Sequence, residues 1–117
     1  MTETTSIPTD QLPATIRGYL AAHVAGDTDT ALRAFAPAAV VVDDGSTYRG
    51  TDEIRAFLAK AGLEFAFTTT LVSAERIDDT HWVAVNHLEG DFPGGVVDLR
   101  YRFALDGDLV AELVIAP

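Results

Sequence analysis

A change of period at mid-chain constrains this sequence most. Before Gly62, apolar residues recur every three or four positions; after it, they come in runs and alternations rich in β-branched and aromatic residues. The first half reads as helices. From Asp10, the residues Ile16, Tyr19, Leu20, His23 and Val24 share one helical face, with Pro13 tolerable in the first turn and Gly26 as the stop. A short second helix follows, capped by Thr28, with Leu32 and Phe35 towards the core and Pro37 ending it. A strand, Ala39 to Asp43, and a turn, Gly45 to Gly50, lead to a third helix. Thr51 caps that helix, and Asp52 and Glu53 suit its positive end. Ile54, Phe57, Leu58 and Ala61 form its apolar stripe, and Gly62 stops it.

The second half reads as a meander. EFAFTTTLVSAERI, HWVAVNHLEG, VVDLRYRFAL and LVAELVI are the strands; Asp78 to Thr80, DFPGG and Asp106-Gly107 are the turns. In the third of these strands Leu99, Tyr101 and Phe103 take one face, and Asp98, Arg100 and Arg102 the other. Helices followed by long sequential strands predict an α+β domain of order α-α-β-α-β-β-β-β. A curved antiparallel sheet would wrap three N-terminal helices into a cone with a central pocket. Residues 1–9 read as a flexible tail, and 10–117 as a single domain. A chain of 117 residues, 48% apolar, can bury one core without staples.

Composition removes several function classes. There is no cysteine, so no disulfide framework or thiolate metal site. Eighteen acids against eight bases give a net charge of −10, a field that repels a phosphate backbone; no nucleic-acid partner is expected. The start, MTETTSIPTDQLP, lacks the basic and apolar regions of a signal peptide, and no run is long enough to span a bilayer. The expectation is a cytoplasmic protein with no membrane partner. His81 and His87 lack a third ligand at recognisable spacing, so neither metal nor cofactor is expected.

Four strings, YLAAHVAGD (19–27), ALRAFAPAAVVVDD (31–44), YRGTDEIRAFLA (48–59) and RYRFALDGDLVAEL (100–113), are spread in order over residues 19–113. In them the chain resembles the nuclear transport factor 2-like superfamily, in particular SnoaL-like and ketosteroid isomerase-like domains. That fold hosts isomerases, dehydratases, cyclases, hydrolases and non-enzymatic binders. The isomerases of that superfamily carry a tyrosine seven residues before a Gly-Asp pair, as an oxyanion donor; Tyr19 matches. They carry an aspartate base eight residues after the phenylalanine of a Phe-Ala pair; Asp43 matches. Their second donor is a carboxylic acid kept neutral by an apolar site, four residues before the phenylalanine of an Arg-Phe pair. Here that position holds Leu99, and Asp98 is one residue off and on the opposite face.

The resemblance therefore implies a small-molecule pocket with Asp43 and Tyr19 as catalytic candidates. His23, Phe57, Trp82, Asn86, Leu99 and Tyr101 are expected at the substrate. Each has a plainer role. Asp43 could end a strand and bond its own turn, Tyr19 could be a core aromatic, and His23 a satisfied interior histidine. Trp82, Ala84, Asn86 and Leu88 alternate with His81, Val83, Val85 and His87, so either Asn86 or His87 faces the pocket. The expected ligand is a small hydrophobic carbonyl or polyketide-like compound, handled by cofactor-free acid–base chemistry. The alternative is a non-catalytic ligand-binding or dimeric scaffolding domain, which the apolar Leu99 favours. A homodimer through the outer sheet face, where Val83 and Val85 lie, is expected in either case.

Overall fold

The computed structural model describes residues 4–61, 67–91 and 93–117. The helix stop at Gly62, the first residues of the strand from Glu64, Phe92 of the DFPGG turn and the side chain of Ala61 lie outside them.

Strand β1 (Thr5–Ile7) and one 3-10 turn (Thr9–Gln11) precede helix α1 (Ala14–Val24). Of the segment expected as a loose tail, Thr5–Ile7 thus pairs as an edge strand, with Ile7 opposite Ala74. Helix α1 starts after Pro13, later than the pattern from Asp10 suggests, because proline cannot donate to a preceding turn. Ile16, Tyr19 and Leu20 are buried, whereas Val24, expected on their face, is 59% exposed beside the stop at Gly26. Gly26 takes φ +72°. Helix α2 (Thr28–Arg33) is capped not by Thr28 but by Asp27, whose carboxylate accepts from the Thr30 N–H at 3.2 Å. It ends before Pro37, and Phe35 already opens strand β2 (Phe35–Asp43).

The segment expected as a turn between Gly45 and Gly50 is a strand, β3 (Ser46–Arg49). It pairs with β2 through Asp44 (φ +50°) and Gly45 (φ +80°), the two positive dihedrals that a tight primed hairpin needs. Helix α3 (Gly50–Ala61) is secured at its start by Glu53, which accepts from the Arg49 N–H at 2.9 Å. Ile54, Phe57 and Leu58 bury its apolar stripe. Strands β4 (Phe67–Arg76), β5 (His81–Gly90), β6 (Val96–Asp106) and β7 (Leu109–Ala116) form the meander.

The seven strands make one sheet in the order β1-β4-β5-β6-β7-β2-β3. Every pairing is antiparallel except β2 with β7, which is parallel. That pair is the fold's main non-local closure, because it brings Asp43 level with Ile115. The sheet curves over the helices, with Ile16, Tyr19, Val41, Ile54, Phe103 and Leu113 in the shared core. Register shifts at Leu71/Ser73 and Ala104/Leu105 add local twist.

Candidate functional site

The site is built by register. Asp43 on β2 pairs with Ile115 on β7, Ile115 with Tyr101 on β6, Tyr101 with Ala84 on β5, and Ala84 with Ala74 on β4. These residues form one row across the inner face. Strand alternation then places Leu99, Tyr101 and Phe103 on that face, and Asn86 two residues from Ala84 on the same side. Helix α1 lays Tyr19 over the row. Its ring meets Phe103 edge-on at 5.8 Å and Phe35 at 5.3 Å, and stacks on His23 at 5.8 Å.

Tyr19 is 1% exposed, and its hydroxyl has no hydrogen-bond partner among the described residues. Burial raises its pKa well above the usual phenol value, and the neighbouring Tyr101 and Asp43 charges add to the rise. Tyr101 is 4% exposed. Burial pushes its pKa up to about 12, with the Asp43 carboxylate adding and a hydrogen bond from the Asn86 side chain opposing. Both phenols therefore stay protonated, and remain donors, throughout the neutral range. Asp43 itself is partly buried at the end of β2.

His23 sits behind Tyr19, where burial holds its imidazole below the ordinary histidine pKa. Phe57 is buried under Tyr48, with ring centroids 5.0 Å apart. Leu99 is half-buried against the core. Asn86 is 3% exposed and faces inward, whereas the partly exposed His87 points outward and lies 2.6 Å from the Asp98 carboxylate. The choice that alternation left open falls to Asn86.

Three cavities take up different expected residues. One of about 490 Å³ lies between α1 and β4–β5, bounded by Arg17, Leu20, Val24, Leu71 and Asn86. A second, about 300 Å³, includes His23, Asp27 and Leu58; a third, about 370 Å³, includes Trp82, Pro13 and Leu105. Trp82 and Asn86 share a face but stand four residues apart, about 13 Å along the strand. They serve different cavities for that reason. None of the three is lined by Tyr19, Tyr101 or Asp43. Leu20, Leu71 and Arg17 were not singled out from the sequence as cavity residues; the inward position of Asn86 next to the β4 register shift is the signal that finds them. Among the described residues no group of three His, Cys, Asp or Glu side chains could hold a metal ion, and no helix is long and apolar enough to cross a membrane.

Comparison with known proteins matches this architecture. The structure is similar to a candidate polyketide cyclase from Sinorhizobium meliloti, 27% identical, with a TM-score of 0.87 over 94% of this chain and 100% of that one. It is similar to a Catenulispora acidiphila protein of ketosteroid isomerase-like fold in complex with trimethylamine, at 18% identity and a TM-score of 0.78, covering 90% and 85%. A third relative in fold is the Δ5-3-ketosteroid isomerase of a Mycobacterium species, 20% identical, TM-score 0.72, covering 89% and 90%. No match is found among curated proteins. A SnoaL-like domain profile matches residues 16–112, and the fold is the nuclear transport factor 2-like one. The chain belongs to the SnoaL-like domain family.

Proposed function

We propose that the protein binds a small hydrophobic carbonyl or polyketide-like compound and moves a proton on it without a cofactor, in the manner of an isomerase, cyclase or dehydratase. The observation that carries this reading is that the Asp43 charge acts on two buried, neutral phenols, Tyr19 and Tyr101, and that the Tyr19 hydroxyl has no hydrogen-bond partner among the described residues. A buried donor without an acceptor costs stability, and an acceptor oxygen on a ligand would recover it.

In the proposed reaction Asp43 takes a proton from the carbon beside the carbonyl. The C–H electron pair moves into the carbonyl group and leaves an enolate oxygen, to which Tyr19 donates. The charge balance favours this order. While Asp43 is ionised, its field opposes an anion near the phenols. Once it has taken the proton, that opposition is gone as the enolate forms. Returning the proton to another carbon completes an isomerisation. Of the residues expected at the ligand, Asn86, Leu99 and Tyr101 share the inner face of β5 and β6 and would hold it, whereas His23 and Trp82 border other cavities and Phe57 packs under Tyr48. Support from outside the site is the likeness to the candidate polyketide cyclase from Sinorhizobium meliloti across nearly the whole chain.

A non-catalytic binder or scaffold is the second reading. It is favoured by the apolar Leu99 at the second-donor position, and by the absence of Tyr19 and Asp43 from the walls of the three cavities described. In either reading, two copies would pair through the outer sheet face. Val85 lies there with Val114 among Arg100, Arg102 and Glu112, whereas Val83, expected on the same face, is 2% exposed.

Exchange of the α-protons of a hydrophobic cyclic ketone in D2O, followed by NMR, separates the two. The acid–base reading expects exchange above the buffer rate and a loss of about 10²- to 10⁴-fold in Asp43→Asn. Exchange at the buffer rate, or equal rates in both proteins, supports the binder.

A further inference from the structure

We infer that Tyr101 is the second hydrogen-bond donor to the ligand oxygen, replacing the acid missing at Leu99, and that Asn86 is the residue that positions it. The inference rests on the acid–base reading above and assigns the half of the anion site which that reading leaves unfilled.

The argument is one of register. Leu99 and Tyr101 are two residues apart on β6, so they share the inner face, and a donor lost at one can be supplied from the other. Tyr101 stands in the same cross-strand row as Asp43, with only Ile115 between. Two strand spacings put their backbones about 10 Å apart, and both side chains rise from the same face of the sheet on either side of Ile115. Tyr19 approaches from above, packed on Phe103, the next inward residue of the same strand. The two phenols and the carboxylate thus converge from α1, β6 and β2.

Asn86 determines which way Tyr101 can donate. It pairs with Leu99, and so lies diagonal to Tyr101 on the inner face. From that position its amide reaches towards the Tyr101 oxygen, and an N–H donated there is the sense that eases ionisation of the phenol. That bond occupies a lone pair of the oxygen and leaves the O–H proton for another acceptor. Asn86 is almost wholly buried and also bounds the cavity between α1 and β4, so both its orientation and its burial come from the scaffold. A leucine at position 99 then keeps the donor pair dry without competing for the ligand oxygen.

The test uses 4-nitrophenolate, an anionic oxygen on a flat apolar body, read by its visible absorption. It is run in the Asp43→Asn background, where no carboxylate repels the anion, with nitrobenzene as the neutral control. Adding Tyr101→Phe should weaken phenolate binding about tenfold or more and leave nitrobenzene binding unchanged. Adding Asn86→Ala should weaken phenolate binding several-fold by the same route. The 13Cζ resonances of Tyr19 and Tyr101 should both move on binding in the unmutated tyrosine background, which guards against a variant that fails to fold. If Tyr19→Phe weakens the phenolate while Tyr101→Phe does not and the Tyr101 resonance stays still, the inference falls and the acid–base reading stands. If the Asp43→Asn protein binds no phenolate at all, the acid–base reading falls and takes the inference with it.

Discussion

The two faces of the central strands treat polarity in opposite ways. On the outer face, charges are paired and wet. His87 lies 2.6 Å from Asp98 and 3.2 Å from Glu89, and Arg100 lies 3.0 Å from Glu75. On the inner face of the same strands, polar groups are few, neutral and dry: Tyr101, Asn86 and, above them, Tyr19. The outer pairs are screened by water and contribute little. Each inner group has lost its water, so a single missing or added partner matters. Strand alternation alone separates the two regimes, since Asp98 and Leu99 are neighbours in sequence. The arrangement teaches that function in such a sheet is to be sought where polar atoms are scarce, not where they are dense.

Substitutions at Tyr19 should break this contrast most visibly. Tyr19→Ala empties a core position against Phe35 and Phe103 and should cost about 3–5 kcal/mol in chemical denaturation. Tyr19→Phe removes only a hydroxyl that bonds nothing among the described residues, so stability should hold or rise slightly. A large loss in Tyr19→Phe would mean that the hydroxyl is bonded in the resting protein.

Alkaline stability comes next in size. The Tyr101 pKa is raised from 10.0 to about 12 on folding, so the folded chain holds that proton more tightly than the unfolded one. The resulting stability is present in full below pH 10 and is lost as pH rises towards 12, about 2–3 kcal/mol in all. Denaturation midpoints across that window should fall less steeply in Tyr101→Phe than in the parent. Equal slopes would place Tyr101 in a wetter setting than the one described.

The smallest effect belongs to the outer face. The hydrogen bond to Asp98 leads the causes that raise the His87 pKa above the ordinary histidine value, with Glu89 adding to it. Asp98→Asn should bring the His87 titration down by NMR while leaving the melting temperature at neutral pH unchanged. A clear drop in melting temperature would show that this exposed cluster carries structure after all.

Much of the fold was legible because its signals are local. The switch of period near Gly62, the stripe of α3 and the alternation of β6 each need only a few neighbouring residues. The hairpin β2–β3 has a local signal too: Asp44-Gly45 is the same dipeptide as Asp106-Gly107, although the expected turn runs from Gly45 to Gly50 and hides the strand Ser46–Arg49. The edge strand β1 has no pattern of its own and exists only through its pairing with β4. The parallel join of β2 to β7 spans most of the chain, and no local pattern encodes it. The site divides in the same way. Tyr19, Asp43 and the leucine standing where an acid is expected come from the resemblance, residue by residue. That Asp43, Ile115 and Tyr101 stand in one row does not, because register across three strands is set by the closure itself.

The central claim is that the Asp43 charge and the two phenols act on one space, where an anion forms. Its most direct test compares 4-nitrophenolate binding by the parent protein and by Asp43→Asn. The account predicts that loss of the carboxylate tightens binding, by about tenfold or more, because the charge that opposes the anion is gone. Binding that is unchanged or weaker in Asp43→Asn would contradict it, since Asp43 would then lie outside the space that the phenols serve.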